Sequence, residues 1–409
     1  MTAITVDAAV KPRRSFQEVW VISLGHALTH WYPATFYLLL PLIGKELGLS
    51  YSEIGSVLTC QYLAGAIANI PGGIFVDTVG RKGLLMAASL FWIGFPYLMM
   101  GFSHAYWMIL ACATLVGIGN NLWHPSAIPW LANRFPQRKG LVMSIHGMGG
   151  NVGDAVAPLV VGALLGFMSW RNVVVINVVP GVLLAVFALI YLGRRQNGDD
   201  AASADAAPKI FAAERLRMFG ALLKNRALIT LAAGSAFRTM TQGALLTFLP
   251  LYLARQMGYP PLWIGACMFA LQAGGFIAAP IAGHLSDRVG RRQIILSSMA
   301  MSAVVIFLML FAGGTGWFVM FVSVLGFFLF AVRAVLQAWL LDATPPAMGG
   351  SAIGLLFASQ AFGQAVGPVS AGIVADHYGL MGAFYFLAGT IVIANFLVFI
   401  TPAGLMKRD

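Results

Sequence analysis

Long apolar runs alternate with short polar or Gly/Pro-rich punctuation along most of the 409 residues. Twelve of these runs reach the length a helix needs to cross a bilayer, about 20 residues. They cover 16–44, 52–77, 82–102, 105–132, 139–168, 171–193, 225–254, 262–287, 292–313, 316–342, 349–376 and 380–403. One connection breaks the rhythm. Residues 194–224 (beginning GRRQNGDDAASADAAPK) are polar, Ala/Asp-rich and flanked by Arg and Lys, the composition of a linker. The pattern predicts an all-α integral membrane protein of twelve transmembrane helices in two six-helix bundles, 1–193 and 225–409, joined by that linker.

The halves repeat each other. GIFVDTVGRK (Gly73 to Lys82) and GHLSDRVGRR (Gly283 to Arg292) stand 210 residues apart and keep Gly, Asp, Val, Gly and Arg at identical offsets. The same offset relates Lys45 and Gly48 to Arg255 and Gly258, and Ile54-Gly55 to Ile264-Gly265. It also relates Gly153, Pro158 and Gly162 to Gly363, Pro368 and Gly372. A constant offset means that the halves superpose in parallel, an arrangement that places a binding site between them near mid-membrane and points to a transporter.

Composition narrows the class. Hydrophobic residues make up 59% and charged residues 10% of the chain, against about 25% charged in soluble domains. The net charge of +11 is distributed by side. Counting alternate connections, one side collects twenty Lys and Arg and the other only Lys45, Arg171 and Arg255. That asymmetry predicts a multi-pass protein of the bacterial inner membrane with both termini and the linker cytoplasmic, its basic rim facing anionic lipid. It argues against a nucleic-acid partner. The start of the chain shows no cleavable signal. Cys60, Cys112 and Cys267 are an odd number and all fall inside spans, so they read as small apolar residues, neither disulfides nor metal ligands. The partners expected are a small-molecule substrate, protons and the bilayer, and nothing in the sequence requires more than a monomer. No enzyme is expected, since no hydrolase elbow or HExxH occurs. No Walker loop occurs either, so the energy must come from gradients, and no cofactor is implied.

Gly-x-x-x-Asp-x-x-Gly-Arg-Lys/Arg, present twice, resembles the signature loop of the major facilitator superfamily. The resemblance covers nearly the whole chain. It implies a gating loop that locks one state through Gly73, Asp77, Arg81 and Lys82, and through Asp287, Arg291 and Arg292 in the second half. Arg134 is a candidate partner for Asp77, and Asp342 for Arg288 or Arg291. A narrower resemblance lies in spans 4 and 5, WHPSAIPWLANRFPQRKGLVMSIHGMGGNVGDAVAP, which is similar to the fosmidomycin-resistance group of bacterial efflux proteins. Ser126 and Asp154 depart from that group's pattern. GQAVGPVSAG in span 11 resembles the Gly-Pro antiporter motif, although small residues and Pro also serve helix packing.

A charge at the centre of a span costs roughly 2.5–3.5 kcal/mol, so each one needs a reason. Inside the spans lie His26, His30, His124, His146, Asp154, Arg238 and Arg333. Several have a polar companion one turn away: His26 with His30, Asn120 with His124, Asn151 with Asp154, Arg238 with Gln242, Arg333 with Gln337, and Gln360 with Gln364. These stripes predict convergence on one aqueous cavity. Arg238 and Arg333 suggest an anionic group between them, with His26, His30, His124, Gln242 and Gln337 as further substrate contacts. Trp123 and Tyr32 are candidates for stacking, beside Trp31, Phe237 and Trp339, unless they merely pack. Asp154, His26 and His30 are candidates for proton coupling. The alternative for Asp154 is a structural pair with His146, Arg238 or Arg333, and for His124 it is satisfaction by backbone carbonyls. His26-x-x-x-His30 has metal-ligand spacing, but no Glu lies between the two and no thiol accompanies them, so no metal is expected. The leading reading is proton-coupled efflux of a small amphipathic or anionic compound, and the alternative is uptake or exchange of an organic anion on the two arginines.

Overall fold

The computed structural model describes residues 16–120, 122–196, 220, 224–313, 315–344 and 349–402. Its helices are α1 (Gln17–Glu46), α2 (Tyr51–Val79), α3 (Lys82–Met100), α4 (Tyr106–Asn120), α5 (Trp123–Arg134), α6 (Lys139–Leu164) and α7 (Trp170–Gln196). The second half contributes α8 (Arg226–Arg255), α9 (Pro261–Val289), α10 (Arg291–Ala312), α11 (Gly316–Asp342), α12 (Gly349–Tyr378) and α13 (Leu380–Phe399). No strand occurs among the described residues, as expected where lipid leaves backbone groups no partner but their own helix. Helices occupy all twelve predicted spans. The fourth span is covered by α4 and α5, which lie on either side of residue 121, a position outside the described residues.

Among the described residues, seven helices are long and apolar enough to cross a membrane by themselves: α3, α7, α9, α10, α11, α12 and α13. Most of the first bundle falls short for identifiable reasons. α1 and α6 carry the histidines and Asp154, and the fourth span is divided at residue 121, which lies outside the described residues. The predicted linker, 194–224, lies largely outside the described residues, as do the side chains at 194–196.

Connections are tight where the sequence supplies the right residues. Ser50 caps α2 in a capping box with Glu53, and Gly80 closes the same helix at φ +68°. Asn225 accepts from Ala227 N and Leu228 N to start α8, and α9 begins on Pro260-Pro261.

The bundles meet along two pairs of helices, α2 with α12 and α6 with α9. Glycines make both contacts possible, because a Cβ at Gly55 would strike Pro368 O and one at Gly265 would strike Pro158 O. A Cβ at Gly162 would stand 2.5 Å from Pro261 O, and one at Gly372 2.5 Å from Tyr51 O. These are repeat mates at the 210-residue offset, so one contact is made twice about a pseudo-twofold axis. Asp376 of α12 adds a polar clasp by accepting from Tyr51 N at 2.7 Å and Ser52 N at 3.0 Å. All of these contacts lie toward the end of the molecule opposite the duplicated decapeptides. At the decapeptide end, Gly73, Gly140, Gly283 and Gly354 have open space where a Cβ would stand. The close glycine contacts between the bundles thus gather at one end of the molecule.

Candidate functional site

The centre of the first bundle holds the polar cluster. α1 lies against α6 because GMGGNVG of α6 is nearly without side chains on the facing side: a Cβ at Gly149 would strike Ser23 O, and one at Gly150 would stand 2.8 Å from the His26 ring and 3.1 Å from that of His30. Into this gap four imidazoles pack. His26 Nδ1 is 2.6 Å from His146 O. A carbonyl only accepts, so Nδ1 carries the proton, and in the neutral ring Nε2 presents a lone pair. Facing that lone pair at 3.0 Å is His124 Nε2. The His146 ring stacks on His26 at 4.0 Å between centroids and 13° between planes. His30 completes the cluster, its ring 4.7 Å from that of His26 and its Nδ1 2.9 Å from Asp154 Oδ2. Both partners of that pair are about one-third exposed, at 29% and 31% of their side chains.

The predicted convergence is therefore real for α1, α5 and α6, but with partners the sequence did not specify. Asp154 pairs with His30, not with His146, Arg238 or Arg333. His124 is satisfied by another imidazole rather than by carbonyls. Beside the cluster, Tyr37 and Tyr62 bond hydroxyl to hydroxyl at 2.6 Å. Gln61, Tyr62, Asn69, Asn120 and Gln364 line a cavity of about 190 Å³ between the bundles.

The two arginines have different surroundings, which corrects the reading of a paired anion clamp. Arg238 is 1% exposed and donates from Nη1 to Leu329 O at 3.0 Å. It is a cation held in the wall between α8 and α11, bonded to one backbone carbonyl while its buried Nε has no hydrogen-bond partner among the described residues. Arg333 is exposed, makes no ion pair or hydrogen bond with another described residue, and stands within electrostatic reach of His124 and Arg238. Gln242 and Gln337 are half-buried beside their arginines. Gln360, by contrast, bonds across to Ser235 Oγ at 2.9 Å.

Two aromatic candidates are also corrected. Tyr32 is fully buried, edge-on to Tyr97 at 5.1 Å, and fills the space over Gly181. Trp123 is 1% exposed and wedged where a side chain at Gly25 would otherwise stand. Burial of so much apolar area makes both packing residues. Trp31 donates to Asn177 Oδ1 at 2.7 Å, and Trp339 is 3% exposed.

At the decapeptide end the gating-loop residues do not all behave alike. Arg291 pairs with Asp287 and, at 3.2 Å, with Asp342, so it ties α9 and α11 together within the second bundle. Arg292 bonds to Phe399 O at the end of α13. Arg81 is exposed and Lys82 half-buried at the start of α3, and Gly73 meets nothing. The Asp77 side chain lies outside the described residues. Arg134 bonds to Glu18 at 3.2 Å while stacking over Trp130, whose Nε1 also donates to Glu18. Glu18 is 1% exposed and went unrecognised in the sequence. No local signal marks it, since its partners lie more than a hundred residues away.

A family model described as Major Facilitator Superfamily matches residues 22–280 and 231–408. A phosphoglycerate transporter protein of Salmonella typhimurium is 22% identical over 423 residues, covering 97% of this chain and 91% of that protein. The fosmidomycin resistance protein of Escherichia coli is 24% identical over 375 residues, covering 90% and 89%. A solved structure, a bacterial homologue of the human lysosomal transporter Spinster in an inward-facing, occupied conformation, superposes with a TM-score of 0.78 at 16% identity, covering 96% and 97%. With its duplicated signature loop, two helical bundles and whole-length family match, the chain belongs to the major facilitator superfamily and is a multi-pass membrane transporter.

Proposed function

We propose that this transporter carries a small organic anion across the bacterial inner membrane by alternating access, the bundles 1–193 and 225–409 rocking about the contacts of α2 with α12 and α6 with α9. The basic end faces the cytoplasm by the positive-inside asymmetry, and the close contacts between the bundles lie at the opposite end, which supports an inward-facing arrangement. The observation that carries this reading is Arg333, an exposed guanidinium with no anion beside it among the described residues, within electrostatic reach of His124. A guanidinium offers a planar fork matched to carboxylate or phosphate. The relatives' names include phosphoglycerate, which makes phosphorylated acids the first compounds to try. The likeness to the fosmidomycin resistance protein supports net export, and the proton gradient is the driving force to impose first.

The test is counterflow and flux in proteoliposomes with a panel of phosphorylated, carboxylated and neutral compounds. Saturable exchange of an anion, lost in Arg333→Ala and partly kept in Arg333→Lys, is the expected result. Exchange confined to neutral compounds, or indifferent to Arg333→Ala, ends the anion reading. Flux unaltered by an imposed pH step ends the proton coupling.

A further inference from the structure

His26, His124 and His146 each bring a ring nitrogen within 4.8 Å of the other two, from three helices of the first bundle. Anion transport through Arg333 makes no use of this grouping. Each ring has a feature of a metal ligand. His26 donates Nδ1–H to a backbone carbonyl and turns its Nε2 lone pair inward, which is how proteins commonly orient and electronically tune a ligating imidazole. His124 Nε2 faces that lone pair at 3.0 Å. Two nitrogens on a tetrahedral Zn²⁺, each at about 2.0–2.1 Å from the ion, stand about 3.4 Å apart, so the pair need open only slightly.

His146 decides the matter. It is 4% exposed, and neither of its ring nitrogens has a hydrogen-bond partner among the described residues. Buried polar atoms are almost always satisfied. A simple N–H···N bond between His124 and His26 would account for those two rings but would leave His146 unexplained. The His146 ring lies parallel to His26, so it must turn out of the stack to aim a lone pair at an ion on His26 Nε2, and its nitrogen starts within 4.8 Å of the other two. His30, beside His26, holds the Asp154 carboxylate at 2.9 Å from its Nδ1.

We propose that His26, His124 and His146 form a binding site for one borderline transition-metal ion, of the class of Zn²⁺. Three imidazoles select such an ion over Mg²⁺ or Ca²⁺, which prefer oxygen, and three protein ligands leave a fourth position for water or an exogenous group. All three residues belong to one bundle, so the ion is held whichever end is open. The proposal goes beyond anion transport and survives if that reading fails.

The experiment uses full-length protein in nanodiscs with any affinity tag removed. Zn²⁺ is titrated in competition with a chromophoric chelator, and Cu²⁺ is bound for electron paramagnetic resonance. One equivalent of Zn²⁺ is expected, with affinity lowered about tenfold or more by His124→Ala and by His146→Ala. His377→Ala, at the end of α12, leaves it unchanged. If a variant does not elute as the wild type does, the wild-type copper spectrum decides: three histidine nitrogens are expected, and fewer overturn the site. No saturable binding above the chelator, or wild-type affinity in folded His146→Ala, overturns it equally.

Discussion

The two bundles are copies in their packing and strangers in their chemistry. At the 210-residue offset, Gly55 matches Gly265, Gly162 matches Gly372 and Pro158 matches Pro368, and each pair makes the same backbone approach to the opposite bundle. The polar positions diverge. His26, His30, His124 and His146 match Ala236, Met240, Ala334 and Leu356, Asp154 matches Gln364, and buried Trp123 matches exposed Arg333. Packing matches in both halves because each bundle presents the same face to the other, and a side chain on either face would block the approach. The cavity walls carry no such symmetry requirement, since a ligand contacts each wall once. Duplication thus fixed the contact surface and left the two walls free to specialise.

The largest expected effect comes from breaking the shared surface. Gly265→Val and its mate Gly55→Val each push a side chain into a backbone carbonyl of the other bundle. Both should reduce transport to background and leave the contact end accessible to a thiol reagent at a cysteine introduced there. Full transport in either variant breaks the symmetry argument.

Next come the matched positions Arg333 and Trp123. Arg333→Ala should lose anion-induced thermal stabilisation while keeping the melting temperature of the empty protein. Trp123→Ala should do the reverse, since emptying a large buried site costs about 3–5 kcal/mol. Arg238→Ala, at a buried position bonded to Leu329 O, should resemble Trp123→Ala in unliganded thermal scans.

A smaller effect tests an asymmetry at the contact end. α2 starts on Tyr51, whose N–H needs an acceptor and finds Asp376, whereas the matching start of α9 is Pro261, which has no N–H to satisfy. Asp376→Ala should remove a cap worth about 1 kcal/mol and shift the population toward the state open at that end, read by accessibility of an introduced cysteine.

The smallest effect concerns Glu46, just beyond the first predicted span, whose repeat mate is Gln256. Hydrogen bonds from Trp170 Nε1 and Arg171 hold its carboxyl below the ordinary value of 4.5. A lowered carboxyl stabilises the folded protein above its unfolded value and loses that contribution as pH falls through the folded value. Glu46→Gln should therefore melt slightly below wild type at neutral pH, and the difference should vanish in acid. Because Glu46 is mostly exposed, the gap should be small.

Much of the site could be listed from the sequence, because a histidine or carboxylate inside an apolar run is visible wherever it points. Which of them meet could not be read. His30 and Asp154 lie 124 residues apart, and His26 and His146 lie 120 apart, so no periodicity connects them. Arg238 and Arg333 looked alike on paper, and only packing against α11 separated a wall cation from an exposed one. Tyr32 and Trp123 looked like binding aromatics until burial assigned them to the interior.

By itself the sequence determined the class of molecule, its spans, its repeat and its family, because oil demands apolar length and a duplicated loop leaves two copies of its pattern. The tertiary structure decided the pairing of imidazoles, the difference between the arginines and where the two bundles touch. Those outcomes depend on distances between residues remote along the chain, which local pattern does not encode.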